Sequence, residues 1–500
     1  MIAHMTHTPR MAPYPQAQAL PVQKSRFGLS ESPSQNEHPT TSTQNHTDTQ
    51  DTLDLKNQLK KVPPLSIEAA DSVIYDFQQE NPIHPLLSSL FVALPKAERH
   101  VHLGGARPKR IIRKMLERNG LDDETIAKLT GTPERFKNLT HFNTFYDILA
   151  TGAKEPQQLR IATYLICKKA AEDNVKYLAL RIGLADETET PDTILNAIRQ
   201  GISEAKEDLS KVGYTQQVRV IVAAKRHGRK GEDIKAIVAR AMKDAKLAVH
   251  YAKHDPDKLV VGFDIAGDES RYPLYHFKDV IHYVKQQGLP VTVHAGETPM
   301  SGNITGAASV NLALEYGVNG IGHALFATHD AQVMKRLKAT GTIVESCPTS
   351  NVAIGNTSWK THPIRTFLDA GIPVSVCTDD PGVFKTKISK EYERLYKHGL
   401  VTSWQDFKTI TRNAAKGVFL PASEKKQLIQ SFERQLQALE QNPLYQPVIR
   451  HMANISMKSL PSSTPKDLTP QPPWHHTMSQ LQHKLSLAQF YASPEKGQEK

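Results

Sequence analysis

Short runs of apolar and β-branched residues recur along the chain: "VKYLALRI", "VRVIVAAKR", "LVVGFDIAG", "LPVTVHAGE", "GIGHA", "GTIVESCPTS" and "IPVSVCTDD". They are apolar almost throughout instead of alternating with polar residues, which suits strands buried on both faces, as in a parallel sheet. Each is followed by a helical pattern, and "AERHVHL" at the front brings the number of expected strands to eight. From the third onward they recur at roughly 25 to 45 residues, room for a strand, a helix and two loops. The predicted fold class is therefore α/β, a (β/α)8 TIM barrel. The gap between the first two strands is about twice as long and holds "RPKRIIRKMLERNG" and "HFNTFYDILATGA", which predicts a helical insertion after strand 1. Extra helices are expected after the last strand. A doubly wound sheet competes with this fold, but no Gly-rich phosphate turn follows the first strand.

The pattern fails at both ends. Residues 1–61 are rich in Gln, Thr, Ser, Pro, Asn and His, as in "ESPSQNEHPTTSTQNHTDTQ", and hold too few apolar side chains to offset the entropy of ordering them. A disordered polar tail is expected there, and the globular barrel over 62–455. Residues 456–500 are broken by Pro and Ser and carry one short amphipathic stretch, "MSQLQHKLSLAQFY".

Composition narrows the class further. Three cysteines, Cys167, Cys347 and Cys377, are too few for a disulfide framework and favour a reducing compartment. With no signal-peptide pattern and no long apolar run, a soluble cytoplasmic protein is expected. The net charge of +11 is spread along the chain without a dense basic block, the pattern of a solvated surface. No nucleic-acid-binding motif is present, so neither nucleic acid nor membrane is an expected partner. Oligomeric state is not encoded in any feature of the sequence.

Ionisable residues fall last in strand after strand: His100 and His102, His294 and Glu297, His323, Asp379 and Asp380. In a barrel all strand C-terminal ends open on one face, so these distant positions converge. The His-x-His pair alone means little, because 22 histidines in 500 residues give roughly one such pair by chance. Two histidines at i and i+2 on a strand do point the same way, as two ligands of one metal must. His294 and the carboxylate of Asp379 complete a donor set suited to one Zn²⁺ per chain, or to Fe or Co, with a position left for water. Individually, a core histidine and a helix N-cap aspartate are the plainer readings of those two residues; jointly the metal site is favoured. Glu297, three residues past His294, is then placed to donate a proton, and His323 to orient the attacking water or take its proton.

The ordered set "ERHVHLGGARP", "VKYLALRI", "LVVGFDIAGDE", "VTVHAGE", "GIGHA", "ESCPTSN" and "VSVCTDDPGVF", with the closing helices, resembles the adenosine deaminase family of metal-dependent amidohydrolase barrels. The resemblance runs from about 90 to 430. It implies that His100, His102, His294 and Asp379 bind zinc and that Glu297 protonates N1 of a purine. It also implies that His323 positions and deprotonates the water attacking C6, that Asp380 bonds N7, and that the Gly267 N–H reaches N3. Phe142 and Phe145 resemble the family's apolar lid, though ordinary helix packing explains them as well.

The sequence also departs from the family's usual pattern. An acidic residue at the ribose side is replaced by Gly104, an Arg before Ile-Gly-His by Gly320, a Gly after that His by Ala324, and an Asn before Thr-Asp-Asp by Cys377. A Ser-Pro after "VKYLALRI" is absent. No metal ligand is lost. The function expected is zinc-dependent hydrolytic deamination of a 6-aminopurine, adenosine first. Adenine or a 5′-substituted adenosine or nucleotide is the alternative, and a non-catalytic metal-binding barrel the last.

Overall fold

The computed structural model describes residues 85–454, except 109–110, 112, 114–116, 118–121, 131–134, 152–155, 186–188 and 228–231. The expected tails, 1–61 and 456–500 with its short helix, lie outside the described residues.

All eight expected strands form. They are β1 (Lys96–His102), β2 (Val175–Ile182), β3 (Gln217–Lys225), β4 (Val260–Ala266) and β5 (Val291–Ala295), then, past a small hairpin of β6 (Met300–Ser301) and β7 (Ile304–Thr305), β8 (Gly320–His323), β9 (Ile343–Ser346) and β10 (Val374–Val376). The eight pair side by side in parallel, in the order β1-β2-β3-β4-β5-β8-β9-β10. A bridge between Val101 and Asp379 brings the two ends of this sheet together. Asp379 N–H donates to His100 O at 2.9 Å and His102 N–H to Asp379 O at 2.8 Å. The barrel is thus joined at the segment that carries three of the expected metal ligands.

The continuous apolar runs are buried as their pattern requires. Val220 and Val222 of β3 and Val291 and Val293 of β5 are fully inaccessible. The helices between strands start and stop on local signals. Thr190 caps Pro191–Lys211 by accepting from Thr193 N–H, Asp233 caps Ile234–His254, and Ala331–Thr340 runs from an Asp330 cap to a left-handed Gly341. The insertion after β1 contributes helices Asp123–Thr130 and Leu139–Thr151. Four helices follow β10: Ile388–Lys397, Trp404–Lys416, Ala422–Gln441 and Gln446–Asn454. The hairpin was not anticipated, since two-residue strands leave no periodicity to read. Among the described residues no helix is long and apolar enough to cross a membrane.

At the N-terminal end of the strands, Lys96 is 1% exposed. Its ammonium donates to Val92 O (3.0 Å), Leu94 O (2.8 Å) and Asp173 O (2.7 Å), closing the end of helix Pro85–Ala93. Burial lowers its pKa to about 8, with the Asp173 charge opposing.

Candidate active site

At the opposite end the expected ligands meet. His102 Nε2 lies 3.2 Å from His294 Nε2, and Asp379 Oδ1 lies 3.3 Å from His100 Nε2 and 3.4 Å from His102 Nε2. One donor atom from each of the four residues falls within 4.8 Å of the others. A tetrahedral zinc site with bonds of about 2.0–2.1 Å has edges of about 3.4 Å, so these separations fit one cation.

Neighbouring carboxylates orient the imidazoles. Glu345 Oε2 of β9 lies 3.1 Å from His100 Nδ1, and Asp264 Oδ1 of β4 lies 3.3 Å from His294 Nδ1. Each carboxylate accepts the Nδ1 proton and leaves the Nε2 lone pair toward the cluster, the usual arrangement behind metal-ligating histidines. Arg181 of β2 ties the two carboxylates together, bonding Asp264 at 2.8 Å and also Glu345. Both acids are held far below the usual carboxylate range: burial opposes ionisation, and the Arg181 guanidinium outweighs it. Burial keeps His102 and His294 neutral and fit to ligate. His100 is pulled upward instead, because bonds to Asp379 and Glu345 outweigh burial and the Arg181 charge. Asp379 itself sits at φ +62°, a strained conformation for a non-glycine residue, held by its two backbone bonds to β1 and by Ser350 Oγ at 2.7 Å.

Glu297 is 2% exposed. Burial first, then the charges of Asp379 and Glu269, push its carboxyl well above its usual range. Its turn is fixed by Glu269, which accepts from Gly296 N–H and Glu297 N–H, both at 2.8 Å, and from Ser309 Oγ. Asp380 is likewise raised, by burial, Asp379 and Glu297 in that order, and its Oδ1 has no hydrogen-bond partner. Gly105 makes room for it, since a Cβ there would come within 1.8 Å of that oxygen.

A directional chain leads to His323. Ile364 N–H donates to His362 Nδ1 (3.3 Å), so the His362 Nε2–H faces Asn351 Oδ1 (3.3 Å), and Asn351 Nδ2 then faces His323 Nδ1 (2.9 Å). Burial keeps His362 neutral, with its pKa near 3, and holds His323 well below the usual histidine value. In this arrangement His323 turns an Nε2–H toward the cleft, 3.8 Å from Glu297 Oε2.

His102, His294, Glu297, His323, Asp379 and Asp380 line one cleft, together with Gly267. Gly267 has φ +106°, and a Cβ there would come within 2.4 Å of His227 Nδ1, so only glycine brings its backbone this close. Every site residue expected from sequence lies in or beside the cleft. Gly104 contributes no side chain, and the space its Cβ would take is filled by the Tyr146 hydroxyl, 2.4 Å away. Phe142 is buried against Phe136 and Phe384 and lines the cleft, whereas Phe145 is only partly buried and packs beside it.

The family model for adenosine deaminase matches residues 95–435, more than half of the chain. The chain belongs to the adenosine deaminase family. An adenosine deaminase of Lactococcus lactis is 30% identical over 71% of this chain and 97% of its own length. An adenine deaminase of Agrobacterium fabrum is also 30% identical, over 67% and 97%. In fold, an Arabidopsis N6-mAMP deaminase superposes with a TM-score of 0.59 at 24% identity, covering 69% of this chain and 99% of that one.

At Gly320 a side chain would have no room: its Cβ would stand 2.8 Å from Glu345 Oε1, 3.0 Å from Thr292 Oγ1 and 3.4 Å from Arg99 Nη2. Arg99 of β1 in turn pairs with Glu345 Oε1 at 3.2 Å. Ala324 replaces the family's usual glycine yet stays left-handed, at φ +51°. Cys377 is fully buried beside Ser375.

Sequence reasoning missed Arg181, Asp264 and Glu345, although each is a charge inside an otherwise apolar strand, which is a signal in itself. Glu269, Asn351 and Gly105 gave no such signal, because their roles depend on what folds against them.

Proposed function

We propose that this protein is a zinc-dependent aminohydrolase that removes the 6-amino group of a purine, releasing ammonia and the 6-oxo product. The observation that carries the proposal is the four-residue donor cluster with the buried carboxyl of Glu297 beside it. Zinc-type chemistry supplies an activated water near neutral pH; a Burkholderia amidohydrolase of the same fold has been solved with bound Zn.

The chain's own residues divide the remaining work. Protonated Glu297 donates to N1, making C6 electrophilic. Asp380, also protonated and with an oxygen lacking a partner, donates to N7, an acceptor in every purine. The Gly267 N–H serves N3. His323, with its Nε2–H turned to the cleft, holds the attacking oxygen; the Asn351 bond favours this orienting role over proton removal. Donors set in advance stabilise the charge that develops as the ring is attacked.

The test is an ammonia-release and ultraviolet assay of zinc-loaded protein on adenine, adenosine and their analogues. Ammonia in step with loss of the 6-aminopurine spectrum is expected. An amide or ester hydrolysed without any purine turning over would overturn the proposal.

A further inference from the structure

Three hydrogen-bond donors converge on Glu98 of β1, whose side chain is buried two residues before His100. Its Oε2 accepts from Thr378 Oγ1 at 2.7 Å, and its Oε1 accepts from Thr378 N–H at 3.3 Å and from His100 N–H at 3.4 Å. The donors come from opposite ends of the sheet. One belongs to a residue of the donor cluster, and two belong to the residue directly before another, Asp379.

Both points are irregular. Between Glu98 and Val101 strand β1 takes three residue steps, while its partner β2, from Leu178 to Leu180, takes two. The extra residue makes a β-bulge at Arg99 and His100, and a bulge takes backbone groups out of the ladder and re-aims a side chain. Side chains accept what the ladder loses. His100 N–H goes to Glu98, and Arg99 O accepts from Arg181 Nη2 at 3.3 Å. The second point is the seam where the sheet closes, because Cys377 N–H donates to Ser346 O of β9 at 2.8 Å and Asp379 N–H to His100 O of β1 at 2.9 Å. Thr378 stands between the two neighbours. Its N–H ends on Glu98 in place of a strand carbonyl, and Asp379 follows at φ +62°, a conformation that persists only where the surroundings fix it.

A buried carboxylate needs donors wherever it stands, and a buried charge on β1 need not serve the site: the bonds of Lys96 all end on carbonyls at the far end of the barrel. Those of Glu98 do not. They join the bulge that carries His100 to the seam that carries Asp379, and the cluster places His100 Nε2 only 3.3 Å from Asp379 Oδ1.

We infer that Glu98 is a positioning residue, which through the bulge and Thr378 sets the spacing of His100 and Asp379 and so the affinity of the cluster for its cation. The inference rests on the metal site of the proposed function and not on its substrate.

The experiment strips the full-length protein with a chelator and measures its zinc Kd by competition with a chromophoric chelator, with circular dichroism of the same samples reporting the folded fraction. Glu98→Ala should raise the Kd by about 10- to 100-fold, the usual effect of losing a group that orients metal ligands. Glu98→Gln should stay within about threefold of wild type, because an amide oxygen still accepts from both N–H groups and its NH2 can donate to the Thr378 hydroxyl. Thr378→Val, which removes one hydroxyl and keeps the shape, should raise the Kd by about three- to tenfold. Lys96→Met is the control for a merely structural role: lower stability, with zinc held as tightly by the folded protein. Zinc bound by folded Glu98→Ala as tightly as by wild type would overturn the inference, and so would equal losses in Glu98→Gln and Glu98→Ala. Should Glu98→Ala not fold, Thr378→Val decides, and an unchanged Kd there overturns it. A wild-type chain that takes no zinc overturns both the inference and the proposed function. Zinc binding that responds to these variants in a protein that turns over no purine leaves Glu98 in its role and removes the deaminase reading alone.

Discussion

The two ends of the barrel both bury charge, and they do it differently. At the N-terminal end Lys96 is 1% exposed, yet three carbonyl oxygens take its ammonium. At the C-terminal end Asp380 Oδ1 and Asn143 Nδ2 are buried without partners and face a cleft. Burial of a charged group therefore does not mark function in this fold. Incomplete satisfaction does, when the unsatisfied atom faces space that a ligand can enter.

The largest effect should separate the ends outright. Glu297→Gln should lower kcat by about 10²- to 10⁴-fold while metal content, measured by elemental analysis, stays unchanged. Activity at the wild-type level would remove Glu297 as proton donor.

Lys96→Met should do the reverse: a loss of about 1–3 kcal/mol in stability from carbonyls left without a donor, and unchanged kcat in the folded fraction. The folded pKa of Lys96, about 8, lies below the ordinary lysine value of 10.5. Between those values the unfolded chain holds a proton that the folded chain has lost, so stability from this residue rises with pH. Denaturant titrations should show the gap between wild type and Lys96→Met widening above pH 8; a narrowing gap would show that the burial penalty is misassigned.

The approach of Arg99 to Gly320 allows a subtler comparison within the site itself. Gly320→Arg should destabilise by about 2–4 kcal/mol, because Arg99 and Glu345 already fill the space. Combining it with Arg99→Leu should recover at least half of that loss, a non-additivity read directly from a double-mutant cycle. Simple additivity would mean that the two side chains do not compete for the same space. The smallest effect is expected at Ala324, where glycine relieves a left-handed backbone: Ala324→Gly should gain about 0.5–1 kcal/mol, seen as a small rise in Tm.

The barrel was readable in the sequence because strands buried on both faces leave uninterrupted apolar runs, and because "HVH", "VHAGE" and "TDD" each stand where such a run ends. The four residues of the donor cluster could be picked out for the same reason. What surrounds them could not. Glu269 reaches the 296–297 turn from the loop after β4, Asn351 is set by His362, and Tyr146 enters the space at Gly104 from an inserted helix. No local spacing encodes such contacts, since they exist only once separate segments pack. Arg99 and Gly320 illustrate the point: 221 positions apart in sequence, they face each other beside Glu345 only in the closed barrel.

The central claim is that four side chains from the two ends of the sheet and its middle share one cation. The most direct measurement is anomalous diffraction at the zinc edge from crystals of the zinc-loaded protein. A single peak about 2.0–2.2 Å from His100 Nε2, His102 Nε2, His294 Nε2 and an Asp379 oxygen is the result expected. A peak bound elsewhere, or no peak from protein shown to contain zinc in solution, would contradict it.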